Sequence, residues 1–306
     1  MTEAAGQTVI GLGEVLWDCF GDSRRVGGAP ANVAFHSQLL GQRGFVCSRV
    51  GNDDLGHELR RYLVDAGLDT RFPQTDAHRP TGRVTVDDSD PQAPCYTIHE
   101  GVAWDALEYE ASIAKLMQGA AAVCFGTLAQ RADGSRETIH RALADAGRAL
   151  IVYDVNLRQS WYTREWIERS LRACRVVKLN VDELAVLAAV LETGDADAVD
   201  FSRQVQSRFG VDLVCVTRGG AGCLLLRREE VVDLPGEPVQ VADAVGAGDA
   251  FCAALIFGLL RNWSLERVAA FANRVGGLTA SRRGAMPPLR DEYATLVKET
   301  DDGGAK

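Results

Sequence analysis

Apolar and polar positions along this chain follow two periods. Short continuous apolar runs, TVIGL, GFVCSRV, AAVCF, ALIVYD, VVKL and DLVCVT, predict strands covered on both faces. Between them PANVAFHSQLL, LGHELRRYLVDA, SRETIHRALADA, EWIERSLRA, VDELAVLAAVL and AVDFSRQVQSRF carry helical spacing. Such alternation predicts an α/β fold, a mostly parallel sheet wrapped by helices. Two segments depart from it. Residues 17–26 and 80–104 alternate with a period of two around the turn-rich DDSDPQAP, which suits a small antiparallel flap on the main sheet. CLLLRREEVVDL reads as a late hairpin. Residues 243–260, DAVGAGDAFCAALIFGLL, end in a helix apolar almost all round, which belongs in a core. There is no internal repeat, low-complexity tract or linker, and the tail TDDGGAK is expected to fray.

With 306 residues and 46% hydrophobic composition the chain fills a sizeable core as a soluble globular protein. A formal net charge of −9 disfavours nucleic acid and anionic membrane as partners. The basic residues are 29 arginines and four lysines, so any positive site is local. Eight cysteines are scattered singly with no CxxC pair, the usage of small buried hydrophobes in a reducing cytosol. MTEAAGQT has no signal pattern, and the longest apolar run, 251–260, is too short to span a membrane. A cytoplasmic location is expected. The five histidines have no metal spacing and read as structural or solvated.

Two common nucleotide signatures are absent. No Gly-Lys occurs, so there is no Walker loop, and GLGEVL lacks the third glycine of the dinucleotide fingerprint. A different anion site is offered by Gly246, Ala247 and Gly248. Their unhindered N–H groups open a helix, where the partial charge is positive, and Asp249 stands in the first turn. Amides that hold a phosphoryl group beside a carboxylate that accepts a hydroxyl proton are what phosphate transfer to an alcohol requires. Taken alone, GAGD reads equally as a glycine-rich turn with an aspartate placed for the helix dipole.

Its company decides. DAVGAGDAF resembles the C-terminal signature of the ribokinase-like carbohydrate kinases, and GGAPANVAFHSQLLG at 27–41 their N-terminal one. GEVLWD, VGNDDLG, DVNLR, KLNVDEL, VTRGGAG and SRRGAMP fall before, between and after them in family order, so the resemblance covers essentially the whole chain. GEVLWD, GGAPAN and DVNLRQSWY are most similar to fructokinases.

The resemblance implies a role for each matching residue. Asp249 is the catalytic base, and Gly246, Ala247 and Gly248 with the Asp249 amide form the anion hole. Asp18, Gly27, Gly28 and Asn32 line the sugar pocket, where a carboxylate accepts hydroxyls and an amide offers both donor and acceptor. Asn180 and Glu183 explain themselves as a capping box; the family adds a place near magnesium, through water, and near the nucleotide phosphates, with Lys178 beside them. Arg158 follows a strand end, where ligands bind in such sheets; it meets phosphate or an acidic sugar, or forms a structural salt bridge. Thr217, Gly219 and Gly222 line the nucleotide site, with Asn273 near adenine. Asp243, Val245, Thr279, Arg282 and Gly284 mark a monovalent-cation site, potassium in many members, although Ala244 replaces the usual threonine and Pro288 a serine of some members.

The expectation is therefore one ribokinase-like domain over 1–306, with helices on both faces of the sheet and a β-lid from about 14–27 and 80–104. It would use ATP and Mg2+, with K+ as a further candidate, to phosphorylate a sugar on a primary hydroxyl, fructose first. Dimerisation through the lid is a family habit. The rivals are 2-keto-3-deoxygluconate, ribose or a nucleoside as acceptor, a non-catalytic sugar-binding regulator, and a nucleotide-dependent oxidoreductase.

Overall fold

A computed structural model describes residues 6–87, 95–194 and 197–303. Strand β1 (Thr8–Leu12) starts the main sheet, and β2 (Leu16–Phe20) and β3 (Ser23–Gly27) form a hairpin outside it. Helix α1 (Ala29–Leu39) returns to β4 (Arg43–Cys47), followed by β5 (Arg49–Gly51), α2 (Asp54–Asp65) and β6 (Gln74–Asp76). Strands β7 (Arg83–Asp87) and β8 (Cys95–Ile98) come next, then α3 (Ala111–Gln118), β9 (Ala122–Phe125), α4 (Asp133–Asp145), β10 (Leu150–Asp154) and α5 (Arg164–Ala173). The second half runs β11 (Val176–Asn180), α6 (Val181–Leu191), α7 (Ala198–Phe209), β12 (Leu213–Thr217), β13 (Cys223–Arg227), β14 (Glu230–Leu234), α8 (Ala247–Leu260), α9 (Leu265–Ala280) and α10 (Arg290–Gly303).

The main sheet has the order β14-β13-β12-β11-β10-β9-β1-β4, parallel from β4 to β12 and antiparallel through the terminal hairpin. Residue alternation assigns each strand's side chains to two cores. Val152, Val176 and Cys215 join α1, α8 and α9 on one face, while Tyr153, Val177 and Val214 join α4, α5 and α7 on the other. This is why the strands read as unbroken apolar runs. A separate four-stranded sheet, β3-β2-β7-β8, is built from the two segments 17–26 and 80–104, but it is mixed and not the antiparallel flap expected: two antiparallel hairpins join through a parallel β2–β7 pair. Most of the turn-rich stretch, residues 88–94, lies outside the described residues.

Three details differ from the sequence reading. GFVCSRV is two strands: after Cys47 the chain leaves the main sheet, and β5 pairs with β6 instead. Helices α3 and α10 had no strong enough pattern to be picked out. The tail is helical to Gly303, with Arg267 holding Thr300 O and Asp301; residues 304–306 lie outside the described residues. The GLG of β1 has a packing cause. A Cβ on Gly11 would lie 1.8 Å from Pro30 O, so the glycine lets the start of α1 press directly on the strand.

Candidate active site

The parallel strands end along one edge, which carries Glu14 just past β1, Asp154 on β10, Asn180 on β11 and Thr217 on β12. Polar groups at this edge are where ligands meet such sheets. Helix α8 points its N-terminus at the same edge. Its N-cap Gly246 has φ 79°, and a Cβ there would come within 2.6 Å of Ala285 Cα. Among the described residues the N–H groups of Gly248 and Asp249 meet no acceptor, and no side chain caps them. Free amides at a helix start attract an anion.

Asp249, half-buried in that first turn, accepts a 2.7 Å hydrogen bond from Asn32 Nδ2 on α1. The two signature motifs, 217 residues apart, thus meet in one contact. Burial first, and then the negative Asp154, push the Asp249 carboxyl up to about 6, against the pull of Lys178, Asn32 and Arg158. Below it Lys178 Nζ donates to both oxygens of Asp154, at 2.9 and 3.0 Å, in a buried pair. Burial alone would lower the Lys178 ammonium, but Asp154 overrides it and holds it well above its ordinary value. That ammonium lies 3.3 Å from where a Gly248 Cβ would stand, so a fixed positive charge underlies the amide cluster.

The small sheet closes the other side. Asp18 on β2 is half-buried, and desolvation raises its carboxyl to about 6 against Arg158 and Arg25. Gly27 leaves room for it, since a Cβ there would sit 2.4 Å from Asp18 Oδ2. Gly28, the N-cap of α1, brings the chain back against the Glu14 carbonyl. Arg158 is exposed, in a loop held by left-handed Asn156 and Gln159, and its charge acts on Glu14, Asp18 and Asp249. No salt bridge among the described residues involves it.

The expected capping box forms. Glu183 N–H donates to Asn180 Oδ1 and Asn180 N–H to Glu183 Oε2, each at 2.9 Å. Glu183 Oε1 also accepts Leu157 N–H, tying the Arg158 loop to α6. Thr217 Oγ1 donates to Leu179 O at 3.4 Å. Gly219 opens a short 3-10 turn, and Gly222 packs on Leu234 and Gly236. Asn273 reaches Pro235 O at 3.3 Å, so α9 and the Gly222 loop share one neighbouring segment. Among the described residues no three His, Cys, Asp or Glu side chains cluster as a metal cage. Glu183 stands beside Asp154 and Lys178 with each carboxylate oxygen accepting a backbone N–H.

Three residues escaped sequence reasoning. Glu14 is buried at 2% exposure with Oε2 unpartnered, and burial raises it to about 7. Its signal was the GEVLWD motif itself, in which Glu14 was assigned no role. Asn32 Oδ1 is likewise buried and unpartnered. His36, buried on α1, contacts Ala285 O and Tyr293 OH, each at 2.9 Å, and so braces the loop that abuts Gly246. A histidine in an apolar helix gives no hint of that partner. Arg25, the cross-strand partner of Asp18, reaches Asp243 at 3.0 Å.

Residues 8–292 match the model of the pfkB family carbohydrate kinases. A Pyrococcus horikoshii protein named as a sugar kinase is 32% identical over 95% of this chain and 96% of its own. A Klebsiella pneumoniae fructokinase is 31% identical over 86% of this chain and 88% of its own. The crystal structure of an uncharacterized sugar kinase from Pyrococcus horikoshii in complex with ATP superposes with a TM-score of 0.80 at 28% identity, covering 96% of this chain and 99% of that one.

Proposed function

The chain belongs to the pfkB family of carbohydrate kinases, ATP-dependent sugar kinases, and from that premise we propose that it converts fructose to fructose 6-phosphate. The observation that carries the reading is a pair of orphaned polar atoms. Asn32 Oδ1 and Glu14 Oε2 are both buried and unpartnered, and both residues belong to the surroundings of Asp249. Buried polar groups are nearly always satisfied. A polyhydroxylated ligand satisfies these, and its hydroxyl is then delivered to the carboxylate.

In this reading Asp18 and Asn32 orient the sugar and Asp249 accepts the proton of its primary hydroxyl. The hydroxyl oxygen attacks the γ-phosphorus as the bond to the ADP oxygen breaks, and the free amides of Gly248 and Asp249, with Gly246 beside them, hold the negative oxygens, while the Ala247 N–H is spent on Ala244 O at 3.3 Å. A base raised to about 6 is still ionised at neutral pH and stronger than an ordinary aspartate. Lys178 supplies positive charge beneath the phosphate, and the Thr217–Gly222 loop with Asn273 lines the nucleotide side. Magnesium carried on the ATP phosphates would neutralise charge there, and Glu183 is the residue that would meet it through water. The small sheet covers the sugar and keeps water from the phosphoryl group.

One observation favours a second acceptor. The exposed Arg158 guanidinium, with no carboxylate partner among the described residues, suits an acidic sugar such as 2-keto-3-deoxygluconate. ATP turnover on fructose, tagatose, ribose, 2-keto-3-deoxygluconate, adenosine and inosine separates the two. The highest kcat/KM on fructose is expected. Highest kcat/KM on the keto acid would replace fructose with that substrate, and absence of turnover on all six would refute a kinase for these acceptors.

A further inference from the structure

The monovalent-cation site implied by the family resemblance does not fit the residues present. Asp243 would be its charged ligand, yet its carboxylate is already surrounded by donors. Arg25 Nη1 and Gly284 N–H each reach Oδ2 at 3.0 Å, and Val245 N–H reaches Oδ1 at 3.1 Å. Gly284 therefore turns its donor to this point. The Thr279 carbonyl accepts Arg282 N–H, and Ala280 O accepts both Ala242 and Asp243 N–H. Thr279 Oγ1 is spent on Val275 O and Tyr293 OH. A bare cation needs converging oxygens with free lone pairs; the Val245, Arg282 and Gly284 carbonyls accept no backbone hydrogen bond among the described residues, but the one charged ligand, Asp243, already has a full positive charge in place on Arg25.

The positive charge beside Asp243 comes from the small sheet. Arg25 lies on β3 directly across from Asp18, with its guanidinium over the Phe20 ring at 5.1 Å. Its Cδ passes 3.9 Å from where a Gly284 Cβ would stand. The next turn of chain, through Val245 to Gly246, forms the start of α8. A guanidinium is always charged and satisfies a carboxylate directionally, so it can fix this turn as an ion would, while its own position depends on the small sheet.

We propose that Arg25 takes the place of the monovalent cation beside the anion hole, making phosphoryl transfer independent of potassium and dependent on docking of the small sheet. The proposal rests on the kinase reading above for its effect on turnover, but not for its effect on ion binding. Arg25 acts here as a positioning residue. The same charge serves two places, since it also acts on the sugar-binding Asp18 one strand away.

The experiment compares parent, Arg25→Gln and Arg25→Lys with potassium or tetramethylammonium as the only monovalent cation. Turnover of the parent should be the same in both. Arg25→Gln should lose roughly ten-fold in kcat without potassium, less than loss of a direct anion-hole donor, and recover when potassium is added. Arg25→Lys should keep most activity in both salts. Thallium(I), a potassium mimic located by its anomalous scattering in crystals, gives a readout free of turnover: it should occupy the Asp243 site in Arg25→Gln and not in the parent. If no sugar is phosphorylated, the kinase reading fails while the thallium result still decides this one. Potassium activation of the parent, or thallium at Asp243 in the parent, would overturn the proposal, and the parent alone suffices for both if Arg25→Gln does not fold.

Discussion

Gly246→Ala isolates the geometry of the amide cluster from its charge. Gly246 sits at φ 79°, where an L-residue costs about 1–2 kcal/mol. The added Cβ would also stand 2.6 Å from Ala285 Cα and 2.8 Å from Ala285 O, in a loop braced by His36, and such overpacking costs about 1–3 kcal/mol. The sum, on the order of 2–5 kcal/mol, is relieved by displacing the start of α8, which takes the free N–H groups of Gly248 and Asp249 with it. The expected result is a lower Tm and a fall in kcat of about 10²–10³-fold, as for loss of an anion-hole donor. Gly248→Ala is the contrast. No positive φ opposes it, its Cβ would meet only Lys178 Nζ at 3.3 Å, which needs the ammonium held by Asp154 to give by a few tenths of an ångström rather than the backbone to move, and alanine favours the helix by up to about 1 kcal/mol. It should raise Tm or leave it unchanged while raising KM for ATP, because the methyl stands in the phosphate's path. Steady-state kinetics with thermal melts of the apo-proteins measures both. Full kcat in Gly246→Ala, or equal destabilisation by the two changes, would refute the reasoning.

Asn32→Ala removes the donor to Asp249 and one orphan acceptor, so kcat/KM for the sugar should fall by about 10–100-fold, with its acid limb moved to higher pH. In the parent, kcat/KM should rise with pH through about 6 and level off, because Asp249 must be ionised to act. Stability should run the other way. Glu14, Asp18 and Asp249 all have native values above their ordinary ones, so the folded state holds extra protons and Tm should decline from about pH 4 to pH 7, less so in Glu14→Gln. Lys178→Met strands a buried Asp154 and should cost about 3–5 kcal/mol, much of which Asp154→Asn restores in the double variant; additive losses in urea melts would contradict the pairing.

Much of this was legible before any coordinates. Continuous apolar strands can lie only in a sheet covered on both sides, so the α/β layers followed directly. The capping box at Asn180 and Glu183 is local, and local rules recovered it. Asp249 and Asn32 were identified through their motifs, but their contact, 217 residues apart in sequence, needed the fold. Glu14 was hidden because a buried carboxylate after a strand looks the same in sequence as an exposed one. Arg25 was hidden for a related reason. Alternation in β3 turns Arg24 to Glu58 and Arg25 to Asp243, and two adjacent arginines carry no mark of which faces the site. The split of GFVCSRV was lost because apolar periodicity does not record which sheet a strand joins.

The central claim is that Asp249 takes the proton of the acceptor hydroxyl. Asp249→Asn keeps the shape and the contact with Asn32 but cannot accept that proton. With the acceptor identified, sugar affinity by calorimetry should stay within about an order of magnitude while kcat falls by about 10²–10⁴-fold. A variant that turns over within a few-fold of the parent would contradict the account.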